Sequence, residues 1–435
     1  MKGRGSLAVV LVVFVSCTSM APPPAGERGA QEDETSGEVR LGNVSTAEVF
    51  KRLCRYRSVQ GGPASSGGST PSAVGEVQRQ VQEIRGLALL RPVPVEAVTA
   101  TELQRGIRQL VVQTLPVDMY GRRSLAWQTI GAVPKGTDLV KVFKKSSGAG
   151  VIGYYVPQIG RLRFIGTQSP SPDERFTLAH ELTHAIDDQH FDLTRFDQAF
   201  GNCRDDEALA YQSLVEGNAT YFMRVWALRF LSPIERFGVS LKAIAEPHGT
   251  VRGVPNFLRD GAFPYLGGLK FVQGLVRQGG VGAIDAAFRH PPVSTEQILH
   301  PKKYPKDRPR RVEIPDYGPA LGRGWKDLDV EEVGEEWLRS LLGLRLTTSS
   351  AEIAAEGWDG GVYRAWSHGD DAVVVLSTVW DSHAEASEFA VRIGEWILGD
   401  QSADVLPVEG DRVTVVFASD GDTLLRLKAL VETVP

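Results

Sequence analysis

Two histidines four residues apart on a strongly signalled helix constrain this chain more than any other feature. Residues 180–184 read His-Glu-Leu-Thr-His. Upstream, Ser171 is suited to cap a helix, Pro172 to open it and Glu174 to close a capping box. The helix should run to about Gln189. Residues four apart on a helix lie on one face, one turn above each other. His180 and His184 can therefore bind one metal ion together. Glu181 sits at the edge of that face, placed to take a proton from a metal-bound water. This is the H-E-x-x-H arrangement of zinc hydrolases, in which zinc keeps one coordination position open for water. The plain alternative is two surface histidines on an amphipathic helix. The apolar flanks Leu178, Ala179, Ala185 and Ile186 argue against it.

A catalytic zinc needs a third protein ligand, and three residues are candidates. Glu216 lies in Leu-Val-Glu-Gly-Asn-Ala on the next helical stretch, 205–230. Gly217 and Ala219 are small there and should let that helix approach the first. Glu207 is nearer the start of the same stretch, where an acid also suits the helix dipole. His190 would follow another architecture, which needs a chain turn at position 187. Asp187 stands there, and in an unbroken helix His190 is ~15 Å along the axis from His180. Glu216 is the preferred reading, with His190 and Glu207 as rivals.

The segment from His180 to Leu193 (HELTHAIDDQHFDL), Gly153-Tyr154-Tyr155, and Leu214 to Ala219 (LVEGNA) together resemble a family of uncharacterised bacterial gluzincin-like metallopeptidases, related in kind to thermolysin. Ser294 to Pro301 adds a fourth segment, so the resemblance covers roughly residues 76–305. It implies a zincin-like α+β fold, mainly helical, with a small mixed sheet or hairpin over the active-site helix. It also implies one Zn2+ per chain held by His180, His184 and Glu216, with Glu181 as the base and a protein or peptide as substrate. In thermolysin-like enzymes an Asp four residues after the ligand Glu supports the first His. Thr220 stands at that position here, and Asp187 or Asp188 could take the role. For stabilising the transition state, Tyr154, Tyr155, Tyr211, Tyr221 and His300 are candidates.

The remaining chain reads as follows. Lys2 and Arg4 precede an apolar run, Leu7 to Val15, that ends in Ser16-Cys17. This is an export signal with a lipobox-like end (1–17), and it predicts a lipid anchor at Cys17. The expected location is the cell envelope, periplasmic or surface, or secreted if Cys17 is not lipidated. Residues 18–75 are a low-complexity linker containing a short helix capped by Ser45. Residues 153–165 should form a hairpin, part of a metallopeptidase domain at 76–345. From residue 346 a β-β-α-β-α pattern predicts a small α+β module. Cys54 and Cys203 remain in an exported chain, where a disulfide is permitted but spacing alone cannot pair them.

Charge adds one more expectation. The chain carries 48 basic and 53 acidic residues, net -5, which points away from nucleic acid. From Leu346 onward 16 acids face 5 bases, net -11, so the rest carries +6. Lys302, Lys303, Lys306, Arg308, Arg310 and Arg311 cluster in one loop. An acidic module beside a basic loop predicts docking within the chain. The functional expectation is a zinc peptidase. Its competitor is a non-catalytic envelope lipoprotein that uses the same fold for binding. The intact Glu181 favours the enzyme.

Overall fold

The computed structural model describes residues 41–54, 72–146, 151–167, 169–245, 255–258 and 262–433. Cys17 and the signal segment lie outside them. Among the described residues the fold is α+β, with many helices and two sheets. Among the described residues no helix is long and apolar enough to cross a membrane.

The helix that carries the histidines spans Pro172–Phe191 and starts as its sequence dictates. The Ser171 side chain accepts from the Glu174 amide, Glu174 returns the bond, and Pro172 opens the first turn. It ends where Asp192 turns to a left-handed φ of 57°. Every residue from Thr177 to Asp188 is buried, so this is a core helix enclosed by neighbours. On one side lies a small sheet of β1 (Val95–Val98), β2 (Gly153–Val156) and β3 (Arg161–Ile165). Its order is β1-β3-β2, with β1 parallel and β2 antiparallel to β3. The expected hairpin is thus present, its turn formed by Pro157–Ile159 and Gly160 at φ 60°. On other sides lie the helices Ser72–Arg85 and Asp205–Phe230. Leu162, Phe164, Leu178, Leu182, Ile186 and Trp226 fill the space between.

The Asp205–Phe230 helix has 26 residues, about 39 Å of axis. It crosses the Phe263–Gly279 helix at very short range. A Cβ on Gly217 would lie 2.1 Å from the Gly268 carbonyl carbon, and one on Gly268 would lie 1.9 Å from the Ser213 oxygen. Only two glycines allow the backbones to touch there.

The second sheet is antiparallel throughout. It contains β4 (Lys326–Glu332), β5 (Trp358–His368), β6 (Asp371–Trp380), β7 (Ala403–Val405) and β8 (Arg412–Ala418), in the order β4-β5-β6-β8-β7. The helices His383–Trp396 and Gly421–Thr433 follow the expected pattern. A boundary at residue 345 falls inside this unit, because β4 precedes it. The unit also recruits distant sequence. The Val117–Ile130 helix packs on β4, β6 and β8, and the short helix Thr46–Leu53 lies along β4. Met119, Trp127, Val49, Trp366, Leu376 and Phe389 belong to one apolar core.

Two bases of the loop, Arg310 and Lys303, meet acids in and beside the strands of this sheet. Arg310 pairs with Asp359, and with Asp411 at 2.8 Å, while donating to the Trp380 carbonyl at 2.7 Å. Lys303 sits among Glu296, Asp307 and Asp381. A disulfide between Cys54 and Cys203, Cα atoms 5.6 Å apart, ties the Thr46–Leu53 helix to the turn before the Asp205–Phe230 helix.

Candidate metal centre

One turn of the motif helix brings the two imidazoles together. Their Nε2 atoms are 3.0 Å apart and their rings stand nearly perpendicular at 87°. Glu216, from the Asp205–Phe230 helix, reaches across 36 residues of sequence. Its Oε2 lies 3.1 Å from His180 Nε2 and 3.5 Å from His184 Nε2. All three side chains are buried. The edge of a tetrahedral site with ligands at 2.0–2.1 Å is ~3.3 Å, so the triangle has the size such a site requires. Two imidazoles and a carboxylate form a donor set suited to a divalent ion of the zinc type. The three residues could therefore hold one metal ion.

The rivals for the third position are elsewhere. His190 Nε2 contacts the Ala88 carbonyl at 2.8 Å, because the helix runs on unbroken through Phe191. Glu207 pairs with Arg204 at the exposed start of its helix. A second acidic group, Glu296, Asp307 and Asp381, encloses the Lys303 ammonium and so already has its cation.

Glu181 is fully buried and its carboxylate has no side-chain hydrogen-bond partner, the Tyr155 backbone N–H being the one donor that bears on it. It lies beside β2, where a Cβ on Gly153 would stand 3.4 Å from its Cγ. Burial pushes its pKa up to about 7, against the pull of His180 and with help from the Glu216 charge. Glu216 moves the other way. Burial would raise it, but His184 and His180 outweigh that and hold it at about 2. The two carboxylates thus shift in opposite directions, because Glu216 is hydrogen-bonded to the imidazoles and Glu181 is not.

The other candidate residues have separate partners. Tyr155 donates to Asp188 Oδ2 at 2.8 Å, and Asp188 Oδ1 accepts from the Leu193 amide at 3.2 Å. Asp188 therefore anchors β2 and the helix end; the partners of its carboxylate are Tyr155 and Leu193, not a histidine. Tyr155 does border the site. With His184, Glu216, Pro157, Phe196, Tyr211 and Val215 it lines a narrow apolar hollow with room for about one water. Tyr154 turns to the opposite side, its hydroxyl against Gly106 and Arg163. Tyr211 donates to the Asp192 carbonyl at 3.3 Å, and the Tyr221 ring meets Phe222. Thr220 Oγ1 has no hydrogen-bond partner, so it supports neither histidine. His300 pairs with Glu335 at 3.0 Å and is not part of the cluster.

The role expected of Gly217 also needs correction. It faces Gly268, so it admits the Phe263–Gly279 helix, not the motif helix. That crossing brings in a residue the linear pattern did not indicate. Tyr265, one turn before Gly268, stacks near the His180 ring, with centroids 6.1 Å apart and planes at 27°. No spacing rule could link positions 180 and 265.

A family model described as a domain of unknown function (DUF8575) matches residues 323–428, the stretch that builds the five-stranded sheet. No curated protein and no solved structure matches the chain.

Proposed function

We propose that this chain is a zinc-dependent peptidase with a gluzincin-like core, acting on protein or peptide substrates in the cell envelope or outside the cell. One observation carries the proposal: His180, His184 and Glu216 converge in a buried triangle of metal-site dimensions, with the carboxylate of Glu181, which has no side-chain partner, alongside. A binding module has no need of a buried, unpaired glutamate at that place, since burying one costs stability.

Zinc at the triangle would supply Lewis acidity to a substrate carbonyl and make water a nucleophile near neutral pH. The chain supplies the rest. Glu181 takes a proton from the attacking water and later returns it to the leaving amine. β2 is an edge strand next to Glu181. An extended substrate could pair with such an edge, which would set its scissile bond over the site. Tyr265 flanks His180 from the opposite helix and would border the same cleft. The lipid anchor expected at Cys17 would hold the enzyme at a membrane surface.

Three proteins test the reading: wild type, His184→Ala and Glu181→Gln. Wild type should hold about one zinc per chain and cleave an unstructured protein such as casein. His184→Ala should lose both. Glu181→Gln should keep zinc while cleavage falls ~10²–10⁴-fold, the usual contribution of a positioned base. Undiminished cleavage by Glu181→Gln would refute the assignment.

A further inference from the structure

Arg85 is the last residue of the Ser72–Arg85 helix, and its side chain is wholly buried. Its Nε donates to Asp187 Oδ1 at 2.8 Å, and its Nη1 faces Asp285 at 2.7 Å. The guanidinium lies over the rings of Phe191 and Phe222 at 5.7 and 5.3 Å. Asp187 is equally buried, and its second oxygen accepts from Asn218 Nδ2 at 2.5 Å. Asp187 is three residues after His184, on the same face of the helix. Asn218 is two residues after Glu216. One carboxylate therefore ties the helix with two of the metal-site residues to the helix with the third. Arg85 ties both to its own helix and, through Asp285, to a fourth, Val281–Arg289.

Stability alone does not account for this arrangement. Taking an ion pair out of water is costly, and apolar side chains of similar volume are commonly as stable or more so. Phe191 and Phe222 already make the surroundings apolar. What a buried charge-assisted network adds is direction, because its hydrogen bonds hold only at fixed distance and angle. A metal site needs that, since ligand atoms must be placed to within about 0.2 Å. The Asp205–Phe230 helix is in fact held on two sides, at Gly217 by Gly268 and at Asn218 by Asp187.

We propose that Arg85, Asp187 and Asn218 are positioning residues of the metal centre, fixing the rotation and height of the Asp205–Phe230 helix so that Glu216 reaches the histidine pair. The proposal rests on the metal-binding part of the reading above and is independent of peptidase activity.

The test uses the full chain without its signal segment and measures zinc affinity by chelator competition. Melting in EDTA is followed in parallel, with the visible spectrum of the cobalt form as a report on ligand geometry. The key variant is R85M/D187N combined with D285N, which removes all three charges of the cluster at nearly constant volume and leaves Asn218 a neutral neighbour. It should melt in EDTA near the wild-type temperature, yet bind zinc 10–100-fold more weakly, the usual effect of losing partners behind the ligands. Its cobalt spectrum should change. N218A, which removes no charge but deprives Asp187 of one hydrogen bond, should weaken zinc binding in the same direction with a lowered melting temperature in EDTA, and it decides the matter if the triple variant fails to fold. Wild-type zinc affinity in either folded variant would overturn the proposal. Absence of zinc binding by wild type would remove the metal reading itself, and the brace with it.

Discussion

The crossing of the Asp205–Phe230 and Phe263–Gly279 helices makes a prediction in which two effects oppose each other. Replacing Gly217 by alanine improves intrinsic helix propensity by ~1 kcal/mol. Against this, the new Cβ would lie 2.1, 2.3 and 2.6 Å from the carbonyl carbon, oxygen and Cα of Gly268. Those are backbone atoms, so no side chain can rotate away. Reaching ordinary contact requires the helices to part by roughly 1.3 Å, and a gap of that order forfeits about half of each dispersion contact along the interface. Phe271, Val272 and Leu275 on one helix and Leu214 and Phe222 on the other belong to that interface core. Overpacking of this kind costs ~3 kcal/mol, so the steric term wins and the net loss is about 2 kcal/mol, near 30-fold in the folding constant. Gly121 provides the control. It is also inside a helix, Val117–Ile130, but a Cβ there meets nothing within 4 Å. Gly121→Ala should therefore stabilise the protein by ~0.5–1 kcal/mol. Urea unfolding of the two variants and wild type gives the comparison through midpoint shifts at constant slope. Zinc affinity should also fall in Gly217→Ala, because Glu216 is the adjacent residue. If Gly217→Ala is neutral or stabilised like Gly121→Ala, the close crossing is wrong, and with it the account of how Tyr265 reaches His180.

Three further outcomes follow from the fold. The Cys54–Cys203 disulfide closes a separation of 149 residues, so reducing it or substituting both cysteines by serine should cost up to ~5 kcal/mol by chain entropy; an unchanged urea midpoint under reductant would contradict this. Stability of the metal-free protein should fall as pH rises from about 5 to 8. Burial pushes Asp206 up to about 7 and Glu332 up to about 8, and raises Glu331 in the same direction. The folded state thus binds more protons than the unfolded chain across that window, and the slope of unfolding free energy with pH is negative. His300, raised by Glu335, acts in the same sense; a melting temperature that is flat or rises from pH 5 to 8 would refute the assignment. Deleting residues 346–433 should unfold the remainder, because β4 loses its partner β5 and the Val117–Ile130 helix loses the strands it packs on. Unchanged melting of the remainder would instead make that segment an appendage.

Local order is what the sequence determined by itself. The capping box at Ser171 and Glu174, the helix through His180 and His184, the 153–165 hairpin and, apart from the short edge strand β7 that the pattern missed, the β-β-α-β-α order after residue 357 all depend on neighbours within a few residues. Backbone hydrogen bonding and side-chain periodicity act over that range, so the pattern is legible in the letters. The third member of the cluster was legible only as a choice among Glu216, Glu207 and His190. Tertiary structure chose among them, because only helix packing sets which carboxylate crosses 36 residues to the imidazoles. It also decided what no spacing could: that Gly217 meets Gly268, that Tyr265 flanks His180, and that Arg85 lies buried against Asp187. The same holds for β4 joining a sheet that sequence pattern placed after residue 345, and for Cys54 meeting Cys203. These contacts depend on how helices and strands stack around shared cores, a property of the whole chain's packing and not of any short segment of it.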